Sequence, residues 1–176
     1  PNTLLIDNFD DNRNGWSLSD NATITDGKLE ITSADPINMW IIPTVNLQEF
    51  YLEVDLRILA TSLNQGSGMI AFGNLTDRQE YYYITFNNEH IDIYQVVGGR
   101  DRFVSSTQAS VDFTCYRRIG LAYIGNQVQI FLDNQIMAIA QLANKGNQIS
   151  FGAVNSSERG TATVDLDNLE VRTSRS

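Results

Sequence analysis

The feature that most constrains the fold of this chain is an alternation of apolar and polar residues with a period of two. In its longest stretch the apolar residues are Phe50, Leu52, Val54, Leu56 and Ile58. The residues between them are mostly polar, namely Tyr51, Glu53, Asp55 and Arg57. Because successive side chains of a strand point to opposite faces, this stretch predicts a strand with one buried face and one exposed face.

Shorter copies of the alternation recur along the chain, at residues 91–94, 127–132 and 164–167. Turn-forming pairs such as Asp26-Gly27, Gly98-Gly99 and Asp133-Asn134 separate the copies, since Gly, Asn and Asp tolerate the positive φ of tight turns. About fourteen short strands are predicted on this spacing, with a single short helical turn expected within 137–144. So many strands must pack as two sheets to hide their apolar faces, which predicts an all-β, two-sheet antiparallel jelly-roll sandwich.

Length and charge limit the functions that this chain can have. Its 176 residues predict one domain spanning 1–176, which we expect to be a module of a larger protein. The 12 Lys and Arg against 21 Asp and Glu argue against nucleic acid or an anionic membrane as partner. One Cys and one His exclude a disulfide scaffold and a multi-histidine metal centre. No stretch approaches the roughly 20 apolar residues of a membrane-spanning helix.

Several short motifs, taken in order, resemble the concanavalin A-like lectin/glucanase superfamily. They are Asp7 to Asp11 with Gly15-Trp16, Asp26 to Leu29, Phe50 to Arg57, Gly66 to Ile70, Tyr82 to Ile84, and Val164 to Val171. The nearest branches are the laminin-G-like modules and the 3-keto-disaccharide hydrolase-like domains of bacteria. The resemblance implies a jelly-roll sandwich with carbohydrate as the usual ligand class. The concave sheet of such a twisted sandwich is the expected ligand groove, and we expect an extracellular or cell-surface location.

The same fold implies that the first and last strands lie side by side. We then expect three residues of the N-terminal segment to pack near the closing strand, namely Leu4, Ile6 and Phe9 beside Leu166, Leu169 and Val171. Trp16 is expected to close one end of the core, because large aromatic residues are usually buried.

Two catalytic patterns of these relatives are incomplete here. The glucanase motif E-x-D-x-x-E would begin at Glu53 and Asp55, but its third carboxylate is missing because position 57 is Arg and position 58 is Ile. The hydrolase-like branch carries an Asn-Ser-Gly-Ile segment between two arginines, the first of which resembles Arg57. This chain keeps Ser67, Gly68 and Met69 but has Gly66 for the Asn and Phe72 near the second Arg. We therefore expect a binding domain rather than an enzyme, with Arg57 paired to Glu53 or Asp55.

Residues of one strand parity predict a sugar-binding surface. The candidates are Tyr51, Glu53, Asp55 and Arg57 on one strand, Tyr81 and Tyr83 on a later strand, and Asp92 and Tyr94 on the next. If these faces coincide on the concave sheet, they combine aromatic rings for sugar C–H patches with polar groups for hydroxyls. In the alternative, Tyr82, Ile84 and Phe86 fill the core and the other tyrosines cover the sheet edge. A hydrolase of the 3-keto-disaccharide type and a laminin-G-like module with a protein partner remain open.

Three further positions carry predictions. Asp10, Asn12, Asn14 and Gly15 match the opening half of a calcium-binding loop, although its twelfth position is Asn21 instead of Glu; an Asx-rich turn is the alternative. Cys115 shares parity with Phe113 and Ile119 and is expected to be buried. His90 is expected to be an exposed turn residue.

Overall fold

The computed structural model describes residues 2–33, 37–41, 49–60, 66–143, 148–155 and 161–173, with only the backbone described for 37–41 and 60. Within these residues the chain forms fourteen strands and no helix. The strands are β1 (Thr3–Asp7), β2 (Ala22–Thr25), β3 (Lys28–Ser33), β4 (Ile37–Ile41), β5 (Phe50–Ala60), β6 (Gly66–Asn74), β7 (Glu80–Phe86), β8 (His90–Val97), β9 (Arg100–Gln108), β10 (Arg117–Ile124), β11 (Gln127–Leu132), β12 (Gln135–Gln141), β13 (Gln148–Asn155) and β14 (Ala162–Thr173). No helix in the described part of the chain has the length and hydropathy needed to cross a membrane.

The strands form two antiparallel sheets that pack face to face. The eight-stranded sheet has the order β12-β11-β10-β5-β14-β3-β2, with β1 also paired to β14. The six-stranded sheet has the order β4-β13-β6-β7-β8-β9. This arrangement confirms the predicted all-β jelly-roll sandwich.

The main core lies between the two sheets. The alternation in β5 buries Leu52, Val54 and Leu56 completely, while the residues between them lie on the outer face. From the other sheet, Ile84 and Phe86 of β7 enter the same core. The strand pattern therefore arises as predicted, because one face of each sheet is removed from water.

The terminal strands lie side by side as expected, but the inward-facing residues of β1 are not those predicted. In the pairing of β1 with β14, Leu5 lies opposite Val171 and packs against the core. Leu4 and Ile6 are exposed, so their predicted packing is wrong. The inward-facing residues are the odd-numbered ones, since Leu5 is partly buried while Asp7 and Phe9 are buried; Phe9 adopts a positive φ of 54°.

Trp16 is buried beside the Phe9 ring, at a centroid distance of 5.5 Å, and is 6.3 Å from the Phe151 ring. Its indole N–H donates to the Asp7 carboxylate at 2.6 Å. The burial predicted for Trp16 is confirmed, and its polar edge is satisfied as buried tryptophans require.

Two local predictions are wrong. The segment from Met137 to Gln141 belongs to β12, which pairs with β11 and is not helical; Asn144 lies outside the described residues. The positive φ values of Asp133 and Asn134 make a tight hairpin turn that returns the chain as a strand. Cys115 is exposed because it lies in the turn before β10, where strand parity does not apply. His90 is exposed, as predicted.

Candidate functional site

The predicted sugar-binding residues divide between two opposite faces of the sandwich. Tyr51, Glu53, Asp55 and Arg57 lie on the outer face of the eight-stranded sheet, because their neighbours on β5 fill the core. Tyr81, Tyr83, Asp92 and Tyr94 lie on the outer face of the six-stranded sheet, because Tyr82, Ile84 and Ile93 point into the core. The eight residues therefore do not form one surface.

On the eight-stranded sheet, the carboxylates of β5 are already held by neighbouring side chains. Arg118 of β10 contacts both Glu53 and Asp55 at 3.2 Å. The Tyr51 hydroxyl donates to Glu53 at 2.6 Å. Burial, together with this hydrogen bond, raises the pKa of Tyr51 to about 12. These contacts describe an ion-paired sheet surface rather than an open row of ligand-binding groups.

Arg57 does not pair with Glu53 or Asp55, so that prediction is wrong. The antiparallel register places Asp165 of β14 directly opposite Arg57. The Arg57 guanidinium donates to the Asp165 carboxylate through Nε, at 3.1 Å, and through Nη2. Its other face covers the Tyr116 ring, 4.8 Å from the centroid. Arg57 pairs with Asp165 on the neighbouring strand instead of Asp55 on its own strand, because directly opposite residues of paired strands lie closer together.

Asp165 is fully buried at the centre of this charged group. Lys28 of β3 donates to the same carboxylate oxygen at 3.1 Å, so two cations share one acid. The second oxygen, Oδ1, has no hydrogen-bond partner among the described residues. Burial lowers the pKa of Lys28, but its hydrogen bonds to Asp165 and Glu30 outweigh that effect and raise it. The group ties β3, β5 and β14 together.

On the six-stranded sheet, four aromatic rings of β7, β8 and β9 form a series in which each ring contacts the next. We call Tyr81, Tyr83, Tyr94 and Phe103 the aromatic row. Tyr83 and Tyr94 stack with centroids 4.8 Å apart and planes at 13°. Phe103 meets Tyr94 edge-on at 5.7 Å, and Tyr81 lies 6.2 Å from Tyr83. The register that pairs Tyr83 with Tyr94, and Tyr94 with Phe103, produces this arrangement.

Exposure increases along the aromatic row towards the edge of the sheet. Tyr81 and Tyr83 are buried, Tyr94 is half-buried, and Phe103 on edge strand β9 is 58% exposed. At the inner end, Gly73 adopts a φ of 134°, and a Cβ there would lie only 3.0 Å from the Tyr81 backbone. Any residue with a side chain at position 73 would therefore prevent Tyr81 from lying this close to β6.

Two carboxylates flank the aromatic row. Asp92 lies on β8 between Thr85 and Ser106 of the neighbouring strands. Asp101, on β9, lies opposite Val96 of β8, near enough to the Tyr83 hydroxyl for its charge to act on that group. Burial, and then this carboxylate, raise the pKa of Tyr83, so its phenol keeps its proton. The surface thus offers rings, phenols and carboxylates together.

Phe103 and Asp101 were missed at the level of sequence. The stretch from Arg100 to Gln108 has no apolar alternation, and most of its residues are exposed. A register shift between Ile93 and Tyr94 also changes which residues of β9 face outward. The available signal was the Gly98-Gly99 turn, which predicts that a strand returns beside Tyr94.

The residues shared with the hydrolase-like branch are not assembled into a site. Ser67 and Met69 face outward on the six-stranded sheet, whereas Arg57 lies on the other sheet. Gly68 faces the core, where an added Cβ would lie 2.9 Å from the Leu56 side chain. Phe72 is part of the core.

The loop of residues 10–15, here called the Asp10 loop, is folded by its own hydrogen bonds. The side-chain amide of Asn12 accepts a hydrogen bond from the backbone N–H of Trp16 at 2.7 Å and donates one to the backbone carbonyl of Trp16 at 3.1 Å. Asn14 donates to the Ile6 carbonyl at 3.2 Å. Beside the loop lies a cavity of about 190 Å³ with Asp7 and Asp10 in its wall. Across the described ranges, no three His, Cys, Asp or Glu residues are grouped to hold a metal ion.

Comparison with known proteins identifies the fold. No protein-family model matches the chain, and no curated protein matches it. Solved structures do: the carbohydrate-binding module CBM66 from Bacillus subtilis superimposes with a TM-score of 0.67 at 15% identity, over 92% of both chains. The beta-glucanase of Bacillus licheniformis gives 0.68 at 15% identity over 99% of both. A Crh5 transglycosylase in complex with NAG gives 0.73 at 10% identity, over 99% of this chain and 85% of that one.

At such low identities these similarities establish the architecture and nothing finer. The chain has the concanavalin A-like jelly-roll fold, as its motifs implied. Function must be argued from the side chains on that fold.

Proposed function

We propose that this domain is a non-catalytic carbohydrate-binding module that holds its ligand against the aromatic row of the six-stranded sheet. The observation that carries the proposal is the contact of Tyr83, Tyr94 and Phe103, with an exposed ring at one end and carboxylates on both sides. A sugar ring presents C–H patches that lie well on aromatic faces, and hydroxyls that pair with carboxylates and phenols.

Each group in the surface has a distinct role in the proposal. Phe103 is the platform for a sugar face, because more than half of its side chain is exposed. Tyr94 holds the Phe103 ring edge-on and is itself held by its stack on Tyr83. Asp92 and Asp101 accept hydrogen bonds from hydroxyls on either side. Because the rings already support one another, little side-chain entropy is lost on binding.

The similar structures support carbohydrate as the ligand class. The name of one is that of a carbohydrate-binding module, and the others are named as a glucanase and a transglycosylase. The presence of enzymes in this group keeps a glycoside-hydrolase-like activity as the second candidate. A protein partner, the third sequence-based alternative, stays a prediction without a specific observation in its favour.

The side chains favour binding over hydrolysis. Retaining hydrolysis uses two carboxyl groups about 5–5.5 Å apart, one of them with a raised pKa. The two acids of β5 are engaged by Arg118. Among the described carboxyl groups whose pKa is shifted by hydrogen bonds, such as Asp112 and Glu170, the shift is downward. Incubation with β-glucan and 3-keto-disaccharide substrates tests the enzyme alternative, which the release of sugar would establish.

Affinity gel electrophoresis with embedded β-1,3-glucan, β-1,4-glucan or chitin tests the binding proposal. We expect retardation by at least one of these polymers, and a loss of affinity of about tenfold in Phe103→Ala, equivalent to about 1.4 kcal/mol. The matched control is Tyr116→Ala, which removes a 40% exposed aromatic residue that lies against Arg57 on the outer side of the eight-stranded sheet. Retardation by none of the polymers, or equal retardation of Phe103→Ala and the unmodified protein, would refute the proposal.

A further inference from the structure

The two carboxylates beside the aromatic row are not neutralised by a neighbouring cation. On the other sheet, Glu53 and Asp55 both contact Arg118. No ion pair joins Asp92 or Asp101 to a cation in the part of the chain that the structure describes. The aromatic row therefore lies between two carboxylates whose charges are open to a ligand.

Strand register places these two carboxylates on opposite sides of the exposed ring. Tyr94 lies opposite Phe103, and Asp92 comes two residues before Tyr94 on the same face of β8. Asp101 comes two residues before Phe103 on β9 and lies opposite Val96. Because β8 and β9 are antiparallel, the two steps run in opposite directions along the sheet. Diagonal neighbours on a sheet are about 7–8 Å apart, so a sugar on the Phe103 ring lies within reach of both acids.

The arginines of this region do not cancel the two negative charges. Arg100 and Arg102 flank Asp101 in β9, and the alternation of a strand directs them to its other face. Burial and the charge of Asp101 raise the pKa of Tyr81, whereas Arg78 acts in the opposite direction. Arg78 therefore lies near the inner, buried end of the aromatic row.

At the exposed end, aromatic rings and carboxylates together favour a cationic ligand. Burial raises the pKa of Tyr94, and the charges of Asp92 and Asp101 raise it further, so both acids act on this end of the row. An ammonium group is attracted to the face of an aromatic ring and forms charge-assisted hydrogen bonds with carboxylates. A carboxylated or sulfated sugar would meet two like charges at the same place.

We propose that the carbohydrate bound by the aromatic row is an amino sugar, whose C–H face packs on Phe103 and whose ammonium groups pair with Asp92 and Asp101. The inference rests on the proposed function, because it states the charge of the ligand at the same site. In a β-1,4-linked chain, successive sugars are flipped relative to one another, so their carbon-2 substituents alternate between the two sides of the chain. A chain of glucosamine lying along the aromatic row directs successive ammonium groups to opposite sides, where the two acids lie.

Isothermal titration calorimetry with three β-1,4-linked tetrasaccharides tests this inference. Tetramers of glucosamine, N-acetylglucosamine and glucose share one backbone and carry an ammonium, an acetamide or a hydroxyl group at carbon 2. At about pH 6 the carboxylates are ionised, and we expect the glucosamine tetramer to bind at least tenfold more tightly than the other two. This preference should fall severalfold in Asp92→Asn and in Asp101→Asn.

A control is needed because a chain with a formal charge of -9 attracts any cation. Asp20→Asn removes the same charge from an exposed turn residue that precedes β2, in the eight-stranded sheet. We expect this variant to keep the full preference for the glucosamine tetramer. Phe103→Ala should weaken the binding of all three sugars, and circular dichroism melting should show that each variant folds.

The inference is overturned by equal affinities for the three tetrasaccharides, or by a preference that survives in both Asp92→Asn and Asp101→Asn. It is also overturned if Asp20→Asn lowers the preference as much as they do, which indicates general attraction between opposite charges. Equal affinities that Phe103→Ala abolishes overturn this inference alone and leave the proposed function standing. Binding of no saccharide, β-1,3-glucan included, refutes both.

Discussion

Removal of the Arg57 side chain tests the ionic group around Asp165. Replacing Arg57 by Met keeps the aliphatic stem but leaves the fully buried Asp165 carboxylate with Lys28 as its remaining cation. Loss of one partner from a buried ion pair costs about 3–5 kcal/mol. Because the Arg57 side chain is 30% exposed and Lys28 remains, we expect a smaller loss, about 1–3 kcal/mol in the free energy of unfolding.

Urea unfolding followed by tryptophan fluorescence measures this loss as a lower midpoint at an unchanged slope. The matched control is Arg13→Met, which breaks an ion pair whose two side chains are 77% and 50% exposed. We expect that control to leave the urea midpoint unchanged, because exposed ion pairs contribute little to stability. In the Asp165→Asn background the cost of Arg57→Met should fall, since the charge to be neutralised is gone. A cost equal to that of the control, or unchanged in the Asp165→Asn background, would refute the reasoning.

Three further predictions concern titration and calcium. The hydrogen bond from Arg172 lowers the pKa of Glu170, so NMR titration should find that pKa below 4.5 in the unmodified protein and higher in Arg172→Gln. The stability that this ion pair contributes is present above pH 4.5 and is lost as the pH falls through the lowered pKa of Glu170. Burial and the hydrogen bond to Glu53 raise the pKa of Tyr51 to about 12. A spectrophotometric titration of Glu53→Gln should therefore show one phenol ionising at a lower pH than in the unmodified protein. The stability linked to the protonated Tyr51 is fully present below pH 10 and is lost as the pH approaches 12. Because the Asp10 loop is closed by its own hydrogen bonds, we expect equal melting temperatures in calcium and in chelator. A higher melting temperature in calcium would instead favour the calcium site.

The strands could be predicted because burial of one face of a strand produces an alternation of apolar and polar residues in the sequence. The alternation around β5 requires only that one side of the strand faces the core. The two-sheet arrangement follows from the number of such strands. Errors arose where a residue lies outside a regular strand, as with Cys115, or where apolar residues occupy the exposed face of a short strand, as at Ile6 on β1.

The candidate site was harder to predict because it depends on register between distant strands. Arg57 and Asp165 are 108 residues apart in sequence, and nothing local indicates that they are opposite neighbours. The position of each residue along its strand could predict that Tyr51 and Tyr83 face away from the core. It could not predict that they do so on opposite sides of the sandwich. Phe103 was not predicted as a site residue because its strand lies at the edge of the sheet, is mostly exposed and has no alternating apolar pattern.

The central claim is that saccharide binds the aromatic row and not the outer face of the other sheet. Two-dimensional NMR of the labelled protein, titrated with β-1,3-glucan, β-1,4-glucan or chitin oligosaccharides, tests it most directly. We expect one of these ligands to shift amide signals of β8 and β9 around Tyr94 and Phe103, with little change along β5. Shifts concentrated around Tyr51 and Arg57, or none with any of these ligands, would contradict the account.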